Sequence, residues 1–262
     1  MDLDDAYANM PYIPGGAEFP DKWAADADAF RKSQALTGRA RLGLMYGHGT
    51  REVLDLFMPE GTPKGLVVFV HGGYWMKFDR SYWSHFAAGV QAQGWAVAMP
   101  SYDLCPRVRI SDITRQIANA VTVAAREIDG PVRLSGHSAG GHLVARMCAP
   151  GVLPDDIAAR LAKIQPISPV SDLRPLMQLT MNSDLRVDEA EAQTESPIFQ
   201  PKPTAPVTVW VGGDERPVFL DQARWLAEAW TCGHQVVTGK HHFDVIDALA
   251  NPDSDMTRDL LG

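Results

Sequence analysis

Cysteine is scarce: three in 262 residues, at Cys105, Cys148 and Cys232, none close to another. A disulfide-stapled scaffold is thereby excluded, and reduced thiols in a cytoplasmic protein are expected. No run of about 18 apolar residues exists, so no membrane-spanning helix is expected. The opening residues carry three aspartates by Asp5, and no basic-then-apolar leader is seen. Basic residues are outnumbered, 24 against 32, which leaves a net charge of -8. That balance argues against nucleic acid or an anionic membrane as partner, since both need a basic footprint. The eight histidines show neither H-x-x-x-H nor H-E-x-x-H spacing, so no metal site is expected. Internal repeats and low-complexity tracts are also missing.

What is present is a strand–helix rhythm. Continuous apolar, β-branched runs at Leu66–Val70, Ala96–Met99, Val132–Leu134, Ile164–Ile167 and Val207–Val211 read as strands buried on both faces. Helical patterns lie between them, at Tyr82–Gln93, Ile110–Ile128, Ala139–Met147 and Phe219–Thr231. This alternation predicts an α/β fold with a mostly parallel central sheet and helices on both faces. Arg41–Tyr46 and Glu52–Met58 read as a hairpin that adds an antiparallel N-terminal edge. One domain over residues 1–262 is expected. Residues 1–40 form an extension over the body, with a helix at Trp23–Leu36. Residues 171–204 break the rhythm, and an insertion at that point is expected to act as a small cap over the strand C-termini.

The chemistry is carried by Gly136-His137-Ser138-Ala139-Gly140, which follows a strand and opens a helix. This G-x-S-x-G string is the sequence form of a nucleophile elbow, with Ser138 as nucleophile. A serine before a helix ordinarily only caps it; the flanking glycines and the preceding strand favour the elbow. Upstream, Val68-Phe69-Val70 leads into His71-Gly72-Gly73-Tyr74-Trp75. Glycines just past a strand free backbone N–H groups, and Gly73, Tyr74 and Ala139 are the expected oxyanion donors. The general base should follow the last strand, where His241 and His242 are adjacent; His242, next to the apolar Phe243-Asp244-Val245-Ile246 run, is favoured. The acid that orients it should follow the strand at Val207–Val211, where Asp214 and Glu215 compete. Asp103 is a third candidate. His71 and His137 are expected to brace the two site loops.

Together these elements resemble the arylformamidases, serine-dependent kynurenine formamidases of the α/β-hydrolase superfamily close to the hormone-sensitive-lipase-like esterases. The resemblance rests on H-G-G-Y-W at 71–75, G-H-S-A-G-G at 136–141, Ser101-Tyr102-Asp103-Leu104-Cys105-Pro106, Ser168-Pro169-Val170-Ser171-Asp172-Leu173 and His242-Phe243. It spans roughly residues 40–250, and Tyr74 stands where the lipase-like esterases have a third glycine. The resemblance implies cofactor-free hydrolysis of N-formyl-L-kynurenine to kynurenine and formate. It also implies Glu215 as the acid, because Arg216-Pro217-Val218-Phe219 is comparable to the Ser-Pro-x-Phe-like stretch that follows the family's acid, with a departure at Arg216; Asp214 stays the alternative. An aromatic leaving group makes Trp75, Phe78 and Tyr102 candidate pocket walls. The expected partner is a small-molecule substrate, and a homodimer stays open. The rival functions are a carboxylesterase acting on short acyl esters and, more remotely, a non-catalytic receptor on the same fold.

Overall fold

The computed structural model describes residues 2–262. Eight strands form one sheet: β1 (Ala40–Met45), β2 (Val53–Phe57), β3 (Leu66–Val70), β4 (Ala96–Pro100), β5 (Val132–His137), β6 (Leu161–Ile167), β7 (Thr208–Gly212) and β8 (Gly233–Val237). Their spatial order is β1-β2-β4-β3-β5-β6-β7-β8. β2 runs antiparallel to both β1 and β4, and the neighbours from β4 to β8 are parallel. The hairpin and parallel sheet therefore form as the sequence predicts.

Period-two alternation in the apolar strands builds two cores. Leu66, Val68, Val70, Ala96 and Ala98 face a core formed with Ile110–Glu127, Ala139–Arg146 and Pro217–Trp230. Val67, Phe69, Val97 and Met99 face the other, built from Trp23, Trp83, Phe86, Ile246 and Leu260. Such strands are uniformly buried because helices cover both sides, so they carry no polar face. Asp55 in β2 is an exception: it is fully buried, paired with Arg80 at 2.9 Å and with Arg31, and accepts from the Gly43 amide at 2.8 Å.

One predicted helix differs. Tyr82–Gln93 divides into 3₁₀ turns at Arg80–Tyr82 and Ser84–Phe86 before the helix Ala87–Ala92. Trp83 is pulled onto Trp23, ring centroids 4.7 Å apart, and this tertiary packing overrides the helical pattern. The segment after His242 makes a 3₁₀ helix, Val245–Ala250. The insertion at 171–204 is ordered by its own sequence: Asp188 caps the helix Glu189–Glu195 through the Glu191 amide, with Glu189 and Glu191 in the first turn. The extension begins with the short helix Leu3–Ala6 and continues into the helix Phe19–Leu36, which buries Trp23 and Ala27.

Candidate active site

The turn after β5 is built from contacts that only glycine allows. A Cβ on Gly140 would lie 1.9 Å from the Val70 carbonyl oxygen, and one on Gly136 would lie 2.3 Å from that of Gly140. β3, β5 and the helix Ala139–Arg146 thus meet backbone to backbone. Between them Ser138 is forced to φ 56°, ψ -117°. A non-glycine residue at such a φ stores on the order of 1–3 kcal/mol of strain, held by the surrounding packing. The serine amide donates to Ile167 O at 2.8 Å, fixing the elbow to β6.

Past β7, neighbouring acids separate by burial. Asp214 is exposed, whereas Glu215 is buried. The Glu215 Oε2 accepts from His242 Nδ1 at 2.5 Å. Its Oε1 accepts from Ser168 Oγ at 2.5 Å and from the Gly212 amide at 2.7 Å. A carboxylate accepting at both oxygens fixes His242 in the tautomer with Nδ1 protonated, leaving Nε2 free to accept. Asp103 lies elsewhere, bonded to the Gln116 amide nitrogen at 3.0 Å.

His242 is also held through its backbone. Its carbonyl accepts from His137 Nε2 at 2.8 Å. Burial, reinforced by the neighbouring His242, holds His137 well below the usual histidine range, so it bonds as a neutral ring. Similarly, His71 is lowered to about 4 by burial and donates from Nδ1 to Gly72 O at 2.7 Å. Both histidines brace their loops. His241 instead turns to Asp244, whose carboxylate lies 3.1 Å from its Nδ1.

The turn after β3 is strained as well: Gly73, Tyr74 and Trp75 have φ 111°, 51° and 56°. Among the described residues, the amides of Gly73, Tyr74 and Ala139 donate to no protein acceptor. Ser138, His242, Gly73 and Tyr74 line one cavity of about 320 Å³. The Ser138 hydroxyl makes no hydrogen bond to His242 Nε2 among the described residues; such contacts are often loose before substrate binds.

The cavity walls are largely apolar, and Phe78, Trp83 and Phe243 contribute aromatic surface. Phe78 is the expected wall that the structure places there. Trp75 and Tyr102 are corrections: both are fully buried behind the cavity. Trp75 packs edge-on against His142, with centroids 5.1 Å apart. Tyr102 stacks on His71 at 4.3 Å and donates its hydroxyl to His71 O at 2.9 Å. Sequence reasoning named Ser168 only within a family motif and gave it no contact with Glu215. It also did not find Tyr7, Asn9 and Met10, which line the cavity from the extension. Among the described residues, no helix is long and apolar enough to cross a membrane, and no cluster of three metal-binding side chains occurs.

Sheet order and elbow define an α/β-hydrolase. The BD-FAE family model matches residues 54–156. The kynurenine formamidase of Drosophila melanogaster is 28% identical, over 82% of this chain and 78% of that protein. A crystal structure from Silicibacter sp. TM1040, described provisionally as a thioesterase, is 59% identical, with both chains fully covered and a TM-score of 0.98. Thermogutta terrifontis esterase 2 has the same fold at 19% identity, with a TM-score of 0.63 over 78% of this chain and 84% of that one. The chain is an arylformamidase-like α/β-hydrolase, and so a hydrolase of esterase or formamidase type.

Proposed function

We propose that Ser138, His242 and Glu215 act as a catalytic triad that transfers a small acyl group to water, and that the substrate is N-formyl-L-kynurenine. The observation that carries this reading is the 2.5 Å bond from His242 Nδ1 to Glu215 beside Ser138, in one cavity with unpartnered amides. Ser138 Oγ attacks the formyl carbon while His242 Nε2 takes its proton. Glu215 stabilises the imidazolium that forms. The tetrahedral oxyanion accepts from the Gly73, Tyr74 and Ala139 amides; each such donor is worth about 10²–10³ in kcat. Collapse expels the aromatic amine, which receives the proton from His242. Water, deprotonated by the same histidine, then hydrolyses the formyl ester of Ser138 and releases formate.

The aromatic leaving group suits the Phe78, Trp83 and Phe243 surfaces, and the small formyl group needs little room on the acyl side. Asp214, the alternative acid, is exposed. Of Arg107, Arg109 and Arg174, the cations that could have met a substrate carboxylate, Arg109 and Arg174 are occupied by Glu191 and Asp172, each at 2.7 Å, and Arg107 is exposed.

A second reading draws on two observations: the cavity is mostly apolar, and the 59%-identical relative is described as a thioesterase. The same residues would cleave a short acyl ester or thioester. Values of kcat/KM for N-formyl-L-kynurenine, p-nitrophenyl acetate and an acetyl thioester separate the readings. The formamide should lead; an ester or thioester preferred by two orders of magnitude would reject the formamidase assignment.

A further inference from the structure

The strained turn at Gly73–Trp75 needs outside support. Two consecutive non-glycine residues in the left-handed region each cost about 1–2 kcal/mol. Part of the support is internal: the Met76 and Lys77 amides both donate to Gly73 O at 3.0 Å, and Cys105 N donates to Trp75 O at 2.9 Å. Trp75 is further wedged against His142. Tyr74 is different. Its hydroxyl leaves the catalytic body and donates to the Tyr7 carbonyl, at 2.7 Å, in the N-terminal extension.

That acceptor is itself fixed. Tyr7 is 2% exposed, its ring meets Phe219 at 5.9 Å, and its hydroxyl accepts from Gln222 Nε2 at 2.9 Å. On one side of it, Asp4 accepts from the Thr180 amide and hydroxyl at 2.7 and 2.5 Å. Asp5 pairs at 2.8 Å with Arg216, the residue that follows Glu215. Arg216 in turn covers the Tyr12 ring at 3.7 Å. The extension is therefore tied to the β3 turn, to the 171–204 insertion and to the acid loop.

We propose that Tyr74 is a positioning residue: its bond to the Tyr7 carbonyl keeps the 73–75 turn in register, so the extension completes the oxyanion site in addition to covering it. The inference rests on the reading of the Gly73 and Tyr74 amides as oxyanion donors. A displacement of about 1 Å at such a site costs up to 10²-fold in rate. Removing one hydroxyl leaves the rest of the turn's support in place, so a smaller loss is expected.

The test uses the full chain and p-nitrophenyl acetate, which either hydrolase reading predicts as a substrate. Tyr74→Phe should lower kcat about tenfold with KM within twofold. Affinity for phenylboronic acid, which mimics the tetrahedral state on the serine, should fall by the same factor. Thr180→Ala, which removes the hydroxyl bond to Asp4 and loosens the extension at its exposed edge, should lower kcat two- to threefold, and should add nothing in the Tyr74→Phe background. If Tyr74→Phe does not fold, the Thr180→Ala single variant decides. Unchanged kcat in either folded variant, or a loss of melting temperature with kcat and boronate affinity intact, overturns the proposal. Turnover surviving in Ser138→Ala would instead overturn the serine mechanism, a separate outcome.

Discussion

Two buried clusters in this chain contain the same residue types and do different things. In one, Glu215 meets the ring of His242 and the second ring nitrogen stays free beside a cavity. In the other, Glu195 is paired with Arg146, at 3.1 Å to Nε and 3.3 Å to Nη2, and accepts from Thr114 Oγ1 at 2.7 Å. There the histidine, His142, donates Nε2 to the Glu195 backbone carbonyl at 2.7 Å and packs its ring against Trp75. Burial raises the Glu195 carboxyl, yet Arg146 and Thr114 outweigh it and hold it below the usual range. A buried glutamate facing an arginine is a structural tie; one facing an imidazole whose far nitrogen is unpartnered is arranged to move a proton.

Substitutions that break this contrast differ in what they damage. The largest effect is expected for Ser138→Ala: a loss of kcat on the order of 10⁴–10⁶ with melting temperature nearly unchanged, read by steady-state kinetics and calorimetry. Glu215→Gln should follow, with kcat down about 10³–10⁴ because the amide no longer holds the His242 tautomer. Activity within tenfold of wild type in Glu215→Gln would pass the role of acid to another residue. Glu195→Gln should invert the pattern. It leaves Arg146 buried without a counter-charge, costing about 3 kcal/mol in urea unfolding, while kcat stays within twofold.

The neutral histidines give a pH signature. Burial lowers His71 and His142 to about 4, and also holds His137 well below the usual histidine range. A histidine with a depressed folded value is protonated first in the unfolded chain, so the unfolded state binds more protons. Stability is therefore fully present above about pH 6.5 and falls as pH drops towards 4. Unfolding midpoints measured across that window should fall continuously, and a flat profile would contradict the neutral assignment. The smallest effect is expected for Asp214→Asn: an exposed loop carboxylate, worth less than about 0.5 kcal/mol, with kcat unchanged.

The sheet was legible because its strands are apolar runs of a length and composition that few other structures accept, and because alternation marks β2 as an antiparallel edge strand and uninterrupted burial marks β3 as a central parallel one. Ser138, Gly136 and Gly140 were legible because a strand-to-helix turn this tight admits little else. The walls of the cavity were not: Trp75, Tyr102 and Phe78 are all aromatics near the H-G-G turn, and which of them faces ligand depends on backbone φ values that composition does not encode. The contacts of Ser168 and Tyr7 were not foreseen for a related reason, since each is made with a partner 47 or more residues away.

By itself, then, the amino-acid sequence determined the strand order of chemistry, the elbow, the glycine turn and the position of the final histidine, because those are local consequences of spacing, pattern and steric need. The burial of Glu215 and the exposure of Asp214 are a different kind of fact. Two carboxylates are adjacent on one loop, and only the folded packing buries one beside His242 and leaves the other in solvent. The same holds for the extension, whose irregular residues acquire a place at the site only when the folded sheet brings Tyr74, Thr180 and Arg216 within reach of them.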